Sequence, residues 1–388
     1  MMGIASTAPL ALALALVLSS CGGGGSGGTP APSPSSAPTP TTTPAPTTTA
    51  VTQRTIATFA TPWAMVFLPD GRLLVTEKPG KLQLVTSAGA KTEVSGVPAV
   101  TYSGQIGLLD VALDPAYATN GRVWLSYEEP ATGGERLAVA QATLNLAGTP
   151  GLTGLTVVWR ATPTTTGGQP GGRMAFSPDG RYLFVSTGER QQFTPAQDLS
   201  GTLGKIVRLN LDGTAAAGNP FASTVGAKPE IWTLGHRNPY GLVFASDGRL
   251  FESEMGPMGG DEFNLIEPGG NYGWPNVSEG DNYDGTPIPR HSTNPAYTAP
   301  LLSWTPVIAP SGMIQYHGTR FAGWNNDFIL GGLVQQGIVR VRVSGGTAVE
   351  AGRISLGARI REVEEAADGS IFVLQDGASA KLIQLLPA

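Results

Sequence analysis

From about residue 54 onward, apolar residues alternate with polar ones in runs of five or six, and each run stops at a turn signal. That period of two is the mark of half-buried strands. One unit recurs, an apolar run, then Pro-Asp-Gly or a relative, then a second β-rich run. It reads FLPDGRLLVTE (67–77), LDPAYATNGRVWLSY (113–127), FSPDGRYLFVSTG (176–188), FASDGRLFESE (244–254) and EAADGSIFVLQD (365–376). The turn positions Asp70, Asn120, Asp179, Asp247 and Asp368 lie 50, 59, 68 and 121 residues apart, and the last gap, about two periods, holds a further strand pair at 323–343 with an Asn-Asn-Asp turn. Six repeats of this length predict an all-β fold, a six-bladed β-propeller. The alternative is a sandwich whose hairpins share turn chemistry. Outside the amino-terminal segment no long window has the apolar spacing of a helix, so helix is expected to be scarce.

Composition divides the chain. Residues 22–53 are almost wholly Gly, Ser, Thr, Pro and Ala, with no apolar period and nothing to bury, which predicts a disordered tether. Ahead of it, Leu10–Leu18 is an apolar run too short to span a bilayer, as in a secretory signal, although the n-region MMGIASTAP lacks Lys and Arg. The expected organisation is a signal peptide at 1–20, a tether at 21–53 and the propeller at 54–388. The sole cysteine, Cys21, ends the sequence Leu18-Ser19-Ser20-Cys21, which resembles the lipobox of bacterial lipoproteins. That resemblance implies an acylated Cys21, a membrane contact through the lipid anchor alone, and an extracytoplasmic, cell-envelope location. One cysteine excludes an internal disulfide.

The formal net charge is −5, and the basic residues are scattered, which argues against nucleic acid and for a small ligand. Loops at one mouth of a propeller converge, so residues far apart in sequence can surround one ligand there. Gln105, Arg173, Arg237, Asn238, Arg359 and Arg361 stand at matching places in different repeats. Arg237 and Asn238 lie in a Gly-His-Arg-Asn-Pro loop and would present a cationic fork and an amide. Arg359 and Arg361 are two apart, so on a strand they share a face. Such a pair suits a polycarboxylate anion, or it is a solvated strand face. Asp261 and Glu262 follow a glycine-rich turn, with Tyr272 ten residues on; this is either a Ca²⁺ site of hard oxygens or a turn-stabilising acidic pair. His236 sits in the binding loop, whereas His291 and His317 have no partner in an evident pattern. No HExxH or P-loop, no GxSxG elbow and no GxGxxG after a strand supports zinc, serine-hydrolase or nucleotide chemistry.

The segments GQIGLLD, GGRMAFSPDG, AQDLSGTLGKIVRLNLDG, GHRNPYGL, GPMGGDEFNLI, GGNYGWP, WTPVIAPSG and RIREV, in that order, resemble the soluble quinoprotein glucose dehydrogenase and aldose/sorbosone dehydrogenase family. The likeness runs from about Trp63 to Leu386. It implies a six-bladed propeller that oxidises a sugar with pyrroloquinoline quinone and calcium. Cofactor contacts are then expected from Gln105, Arg237, Asn238, Arg359 and Arg361. Gly256 and Pro257 would offer carbonyls to a catalytic Ca²⁺, and Asp261, Glu262 and Tyr272 match a structural calcium site.

The departures gather at the substrate side. Where the family has the histidine that takes the sugar's proton, this chain has Gln169, and glutamine is no general base near neutral pH. Gly168 replaces an acidic residue, Val334 falls near a lysine position, and Met255 replaces a polar residue before Gly-Pro. The catalytic positions expected from the resemblance are Gln169 and Arg237, and His236, Glu189 and Glu254 are the titratable groups beside matched motifs that could compensate. Three functions stand open: a weakened sugar dehydrogenase, a non-catalytic lipoprotein binding a sugar or anion, and a calcium-dependent propeller lactonase. The electron acceptor is not legible.

Overall fold

The computed structural model describes residues 50–388. The expected signal peptide, the lipidated Cys21 and the tether up to residue 49 lie outside the described residues. Six four-stranded antiparallel sheets make up a six-bladed β-propeller. Their innermost strands are Pro62–Phe67, Leu108–Leu113, Gly171–Phe176, Pro239–Phe244, Pro310–Gln315 and Ile360–Glu365, and they pack side by side around a central axis. Among the described residues, helix is confined to the single turn Tyr117–Asn120 and two short 3₁₀ turns.

Each recurring turn joins an innermost strand to its neighbour. The aspartate caps its own turn: Asp70 Oδ1 accepts from Arg72 N at 3.0 Å, Asp179 Oδ1 from Arg181 N at 3.1 Å, and Asn120 Oδ1 from Arg122 N at 2.8 Å. The glycine that follows adopts a left-handed backbone, as at Gly71 (φ 82°) and Gly248 (φ 86°), where a side chain would be strained. In the fifth blade the Asn-Asn-Asp turn serves the same joint, with Asn326 at φ 66°.

One correction falls on the domain boundary. The tether was expected to reach residue 53, but Val51–Phe59 is a strand, paired antiparallel with Ala380–Pro387 from Val51 opposite Pro387 to Phe59 opposite Ala380. It forms the outer edge of the sixth blade, so the two ends of the propeller close the ring in one sheet. Its side chains are largely exposed, which is why Thr52, Gln53 and Arg54 carry no apolar alternation for a reader to find.

Every innermost strand also slips register against its neighbour near its first residues, as between Pro62 and Met65, Leu108 and Val111, and Gly171 and Met174. Such bulges turn side chains and leave backbone groups unpaired. In the first three blades a buried hydroxyl on the second strand satisfies them. Thr76 Oγ1 accepts from Ala64 N at 2.9 Å and donates to Leu109 O in the next blade at 2.6 Å. Ser126 Oγ accepts from Asp110 N and donates to Gly172 O, and Ser186 Oγ accepts from Arg173 N and donates to Pro239 O. Each hydroxyl therefore closes a bulge and links one blade to the next.

Arg173 departs from its expected place at the ligand-binding mouth. Its strand carries it into the channel, where Nη1 lies 3.1 Å from Asp110 and also bonds Glu362, Nε donates to Tyr240 O at 3.1 Å, and the guanidinium lies 4.4 Å from the Trp63 ring centroid. These contacts tie five blades together through one cation. Removing one partner of a buried, hydrogen-bonded ion cluster leaves the remaining charge uncompensated, which typically costs about 3–5 kcal/mol. Arg173→Ala is expected to lower unfolding stability by about that much in urea titration; a loss under about 1 kcal/mol would show that the channel relaxes around the gap.

Candidate functional site

At one end of the ring, the loops entering the innermost strands meet the loops leaving the second strands. His236, Arg237 and Asn238 connect the edge strand Ile231–Leu234 of the third blade to the innermost strand of the fourth. The Glu254 carboxylate fixes this loop from beneath. It accepts from Arg237 N at 2.5 Å, from Asn238 N at 3.2 Å, and faces His236 Nδ1 at 3.1 Å. The other ring nitrogen of His236 meets Thr233 Oγ1 at 2.9 Å, and the ring stacks on Tyr272 at 4.7 Å between centroids. His236 is fully buried, so it braces the loop and does not face the mouth.

Held in this way, the Arg237 guanidinium donates to Met255 O at 2.9 Å and Gly256 O at 2.7 Å, and to the Tyr283 hydroxyl at 3.2 Å. It lies between the rings of Trp274 (5.3 Å) and Tyr283 (5.8 Å). Gln169 completes the arrangement. Its backbone has φ 53°, its N donates to Gln105 Oε1 at 2.6 Å, and its side chain is 5% exposed. The surrounding donors and acceptors orient the amide so that its nitrogen donates to Glu189 Oε1 and its oxygen accepts from Arg237 Nη2 at 2.9 Å. Asn238 Oδ1 accepts from Gly171 N at 3.3 Å. Gln105, Gln169, Arg237 and Asn238 thus form one connected arc, with Glu189 behind Gln169.

Burial pushes the Glu189 carboxyl above its ordinary range, against the bonds that Phe193 N and Gln192 N make to Oε2. Of the three titratable groups beside the matched motifs, it alone bonds Gln169. His236 and Glu254 are committed to the loop itself.

Arg359 and Arg361 do share a face, and both grip one carboxylate. Arg359 Nε donates to Asp376 Oδ2 at 2.9 Å, and Arg361 reaches Oδ1 from Nε at 3.1 Å and Nη2 at 2.9 Å. Arg361 lies 5.6 Å from the ring of Tyr240, across the axis in the fourth blade. Burial opposes ionisation of Asp376, but Arg361 and Arg359 outweigh it and hold the carboxyl below its usual range. Lys78 belongs to the same group: burial, then Arg361, lower its ammonium, whose Nζ donates to Gly104 O at 2.8 Å. Sequence reasoning missed Lys78 because it is a lone lysine after Glu77, with no motif of its own. Three cations around one carboxylate leave an excess of positive charge at the mouth, which fits an anionic ligand.

The expected metal residues separate into two groups. Adjacent residues on a strand face opposite sides, and Asp261 and Glu262 do so. Asp261 accepts from Gly256 N, Ile308 N and Ala309 N, at 2.9, 2.7 and 2.6 Å, so both of its oxygens serve the backbone. Burial raises its pKa to about 6 in spite of those bonds. It is a structural knot and does not share a site with Glu262. Glu262 instead faces Glu252, Glu254 and Asn264 inside the fourth blade, with Asn264 Nδ2 3.0 Å from Glu252 and 3.3 Å from Glu262. Burial and mutual repulsion push the carboxyls of Glu252 and Glu262 well above their ordinary range.

The Tyr272 hydroxyl donates to Leu265 O at 2.6 Å, and its carbonyl faces His291 Nε2 at 3.0 Å. Gly256 O is taken by Arg237, and Pro257 follows it in the same turn. A cavity of about 10 Å³ lies among Glu254, Glu262, Gly256 and Tyr272, room for one water-sized sphere. Two buried carboxylates, Glu254 and Glu262, line it. Glu254 also belongs to a cluster in which potential ligand atoms of His236, Glu252 and Glu254 lie within 4.8 Å of one another, and Glu252 Oε1 has no partner among the described residues. This donor set fits a hard divalent cation. Glu252 and Glu254 were not expected as ligands, because Glu262 and His236, which they meet, come from a neighbouring strand and a preceding loop.

Residues 59–384 match the family described as glucose/sorbosone dehydrogenase. The chain belongs to that family. It is 38% identical over 335 residues to aldose sugar dehydrogenase YliI of Escherichia coli K12, covering 84% of this chain and 90% of that one. The crystal structure of the soluble aldose sugar dehydrogenase from Escherichia coli in its apo form superposes with a TM-score of 0.83 at 37% identity, over 87% of this chain and all (100%) of that one. The PQQ-bound form of aldose sugar dehydrogenase from Streptomyces coelicolor superposes with a TM-score of 0.72 at 30% identity, over 88% and 99% of the two chains.

Glu254 is the carboxylate on which the Arg237 loop depends. In Glu254→Gln an amide N–H would face backbone donors or a donor would lose its partner, a loss of about 1–3 kcal/mol. Chemical denaturation should register that decrease, whereas Asp247→Asn at an exposed turn should shift stability by no more than about 0.5 kcal/mol.

Proposed function

We propose that the chain is a quinone-dependent sugar dehydrogenase that oxidises an aldose to its lactone, with pyrroloquinoline quinone and Ca²⁺ as cofactors. The observation that carries this reading is the cation excess at the mouth, where Lys78, Arg359 and Arg361 surround the single carboxylate of Asp376 and Arg237 stands on the far side. The buried cluster of Glu252, Glu254 and Glu262 supports the calcium half of it.

When bound, the quinone supplies the two-electron acceptor for the hydride leaving the sugar carbon, and Ca²⁺ supplies Lewis acidity. The chain's own residues do the rest. Lys78, Arg359 and Arg361 would hold the carboxylates of the cofactor, Gln105 and Asn238 would contact it, and Arg237, immobilised by Glu254 and the carbonyls of residues 255 and 256, presents a fixed positive charge to developing negative charge. Oxidation of the hydroxyl also releases a proton. Gln169 cannot take it, so in this reading the proton passes to Glu189, the carboxylate bonded to the Gln169 amide.

A second reading rests on the Gln169 clamp itself. An amide fixed between Glu189 and Arg237 is a binding group, and the same mouth could hold a sugar or an anionic ligand without turnover. In either reading, the export signal and Cys21 support a lipid-anchored protein of the cell envelope.

After reconstitution with Ca²⁺ and the quinone, the protein is expected to reduce an artificial acceptor with at least one aldose in a panel. No reduction with any aldose would remove the enzymatic reading, and calorimetric quinone uptake without turnover would favour the binding one. Restoring a base in Gln169→His is expected to raise turnover by about a hundredfold or more, and a variant no faster than the parent would mean the pocket had diverged beyond one residue.

The proton acceptor must be ionised to work. Because burial raises the Glu189 carboxyl, parent activity should be lost as pH falls through a value above that of an ordinary carboxylate, and Glu189→Gln should remove that limb from the kcat profile. Ca²⁺ at about a hundred times its Kd should stabilise the fold by about 2.7 kcal/mol. Glu262→Gln should diminish this gain, and an equal response in parent and variant would exclude Glu262 as a ligand.

A further inference from the structure

The end of the channel away from the mouth opens into a cavity of about 720 Å³, within the range of small-molecule sites. All six innermost strands line it, together with Ala366 and Ala367, which enter the recurring turn of the sixth blade. Five blades give it an apolar wall through Met65, Val111, Leu113, Phe176, Val243 and Ile314. Tyr240 stands between it and the mouth, since its carbonyl accepts from Arg173 while its ring faces Arg361.

The charged and titratable groups that line the cavity are Asp110, Arg173, His317, Glu362, Glu364 and Glu365, so carboxylates outnumber the single guanidinium. Asp110 and Glu362 share Arg173 between them, and Glu365 Oε2 accepts from His317 N at 2.7 Å. Glu364 has no ion-pair partner among the described residues, and the one group that bonds it is the backbone amide of Glu365. Two residues apart on one strand, Glu362 and Glu364 share a face. Burial, then repulsion by Glu362, raise the Glu364 carboxyl well above its ordinary range, which is the condition that an incoming cation relieves. A metal ion suits this arrangement poorly. It needs several oxygens converging on one point, and among the described residues only His236, Glu252 and Glu254 bring three acid or imidazole ligand atoms within 4.8 Å of one another.

We propose that this cavity binds an organic ammonium cation with an apolar body, its charged head against Glu364 and its hydrocarbon among the walls of the innermost strands. The head would donate hydrogen bonds to the carboxylate that lacks a cation, and the body would remove apolar wall from water, a contribution that a hydrated inorganic ion cannot make. Such a site is separate from the mouth and does not rest on its redox reading.

The test measures uptake of hexylammonium and of hexanol, which has the same chain and no charge, by calorimetry in the parent and in Glu364→Gln. The substitution keeps the shape of the side chain and an oxygen to accept from Glu365 N, so the fold is retained. Hexylammonium is expected to bind the parent at least about tenfold more tightly than hexanol, and Glu364→Gln should weaken it by about tenfold, equivalent to about 1.4 kcal/mol, while leaving hexanol unchanged. Equal binding of the two probes, a hexylammonium affinity that the variant leaves unaltered, or no uptake of hexylammonium would overturn the proposal. Uptake of Mg²⁺ in the parent that disappears in Glu364→Gln would assign the cavity to a metal ion and overturn it too.

Discussion

The rest of the structure depends on how six innermost strands crowd around one axis without orphaning their backbone. Each slips register near its mouth end, and the amide this frees would be costly to bury unpaired. Thr76, Ser126 and Ser186 resolve the problem with one atom each, accepting from the bulge and donating to a carbonyl of the next blade. In the fifth blade the innermost strand itself supplies the hydroxyl that reaches the next blade, Ser311, donating to Ile360 O at 2.7 Å. In the second and third blades, where the bulge is closed in this way, the loops that precede it, carrying Gln105 and Gln169, emerge at fixed angles over the channel.

A second layer of constraint aims the charges. The Arg237 side chain is directed by a carboxylate that bonds its backbone, Glu254, and by carbonyls that bond its guanidinium. Arg359 and Arg361 are directed by Asp376, and Arg173, deeper in the channel, by Asp110 and Glu362. The same residue type therefore does different work at different depths: Arg173 has its charge spent on two carboxylates, while the mouth retains a surplus. Net positive charge at a site with few counter-ions favours an anionic ligand over a solvated surface.

Legibility in the sequence followed the range of the interaction. The Asp-Gly turns are local, since the side chain caps a backbone amide two residues away, and so six repeats could be counted from one strand of text. The Arg359–Arg361 pair was legible for the same reason, through the strand period of two. Lys78 and the inward turn of Glu252 and Glu254 were not, because their partners come from other strands and other blades. Asp261 was misplaced with Glu262 because adjacency in sequence was read as adjacency in space, and a strand sends neighbours to opposite faces.

The chain by itself determined the period, the turns, the number of blades and the set of residues at the loop tips, all of which arise from interactions within a few positions. Which arginine would be neutralised in the channel and which left free at the mouth, which carboxylates would meet in the fourth blade, and that residues 51–53 would pair with the carboxy-terminal strand were decided only when the ring closed. Burial and charge pairing act through space, between groups far apart in the chain such as Arg173 and Glu362, 189 residues distant, and strand periodicity carries no information about them.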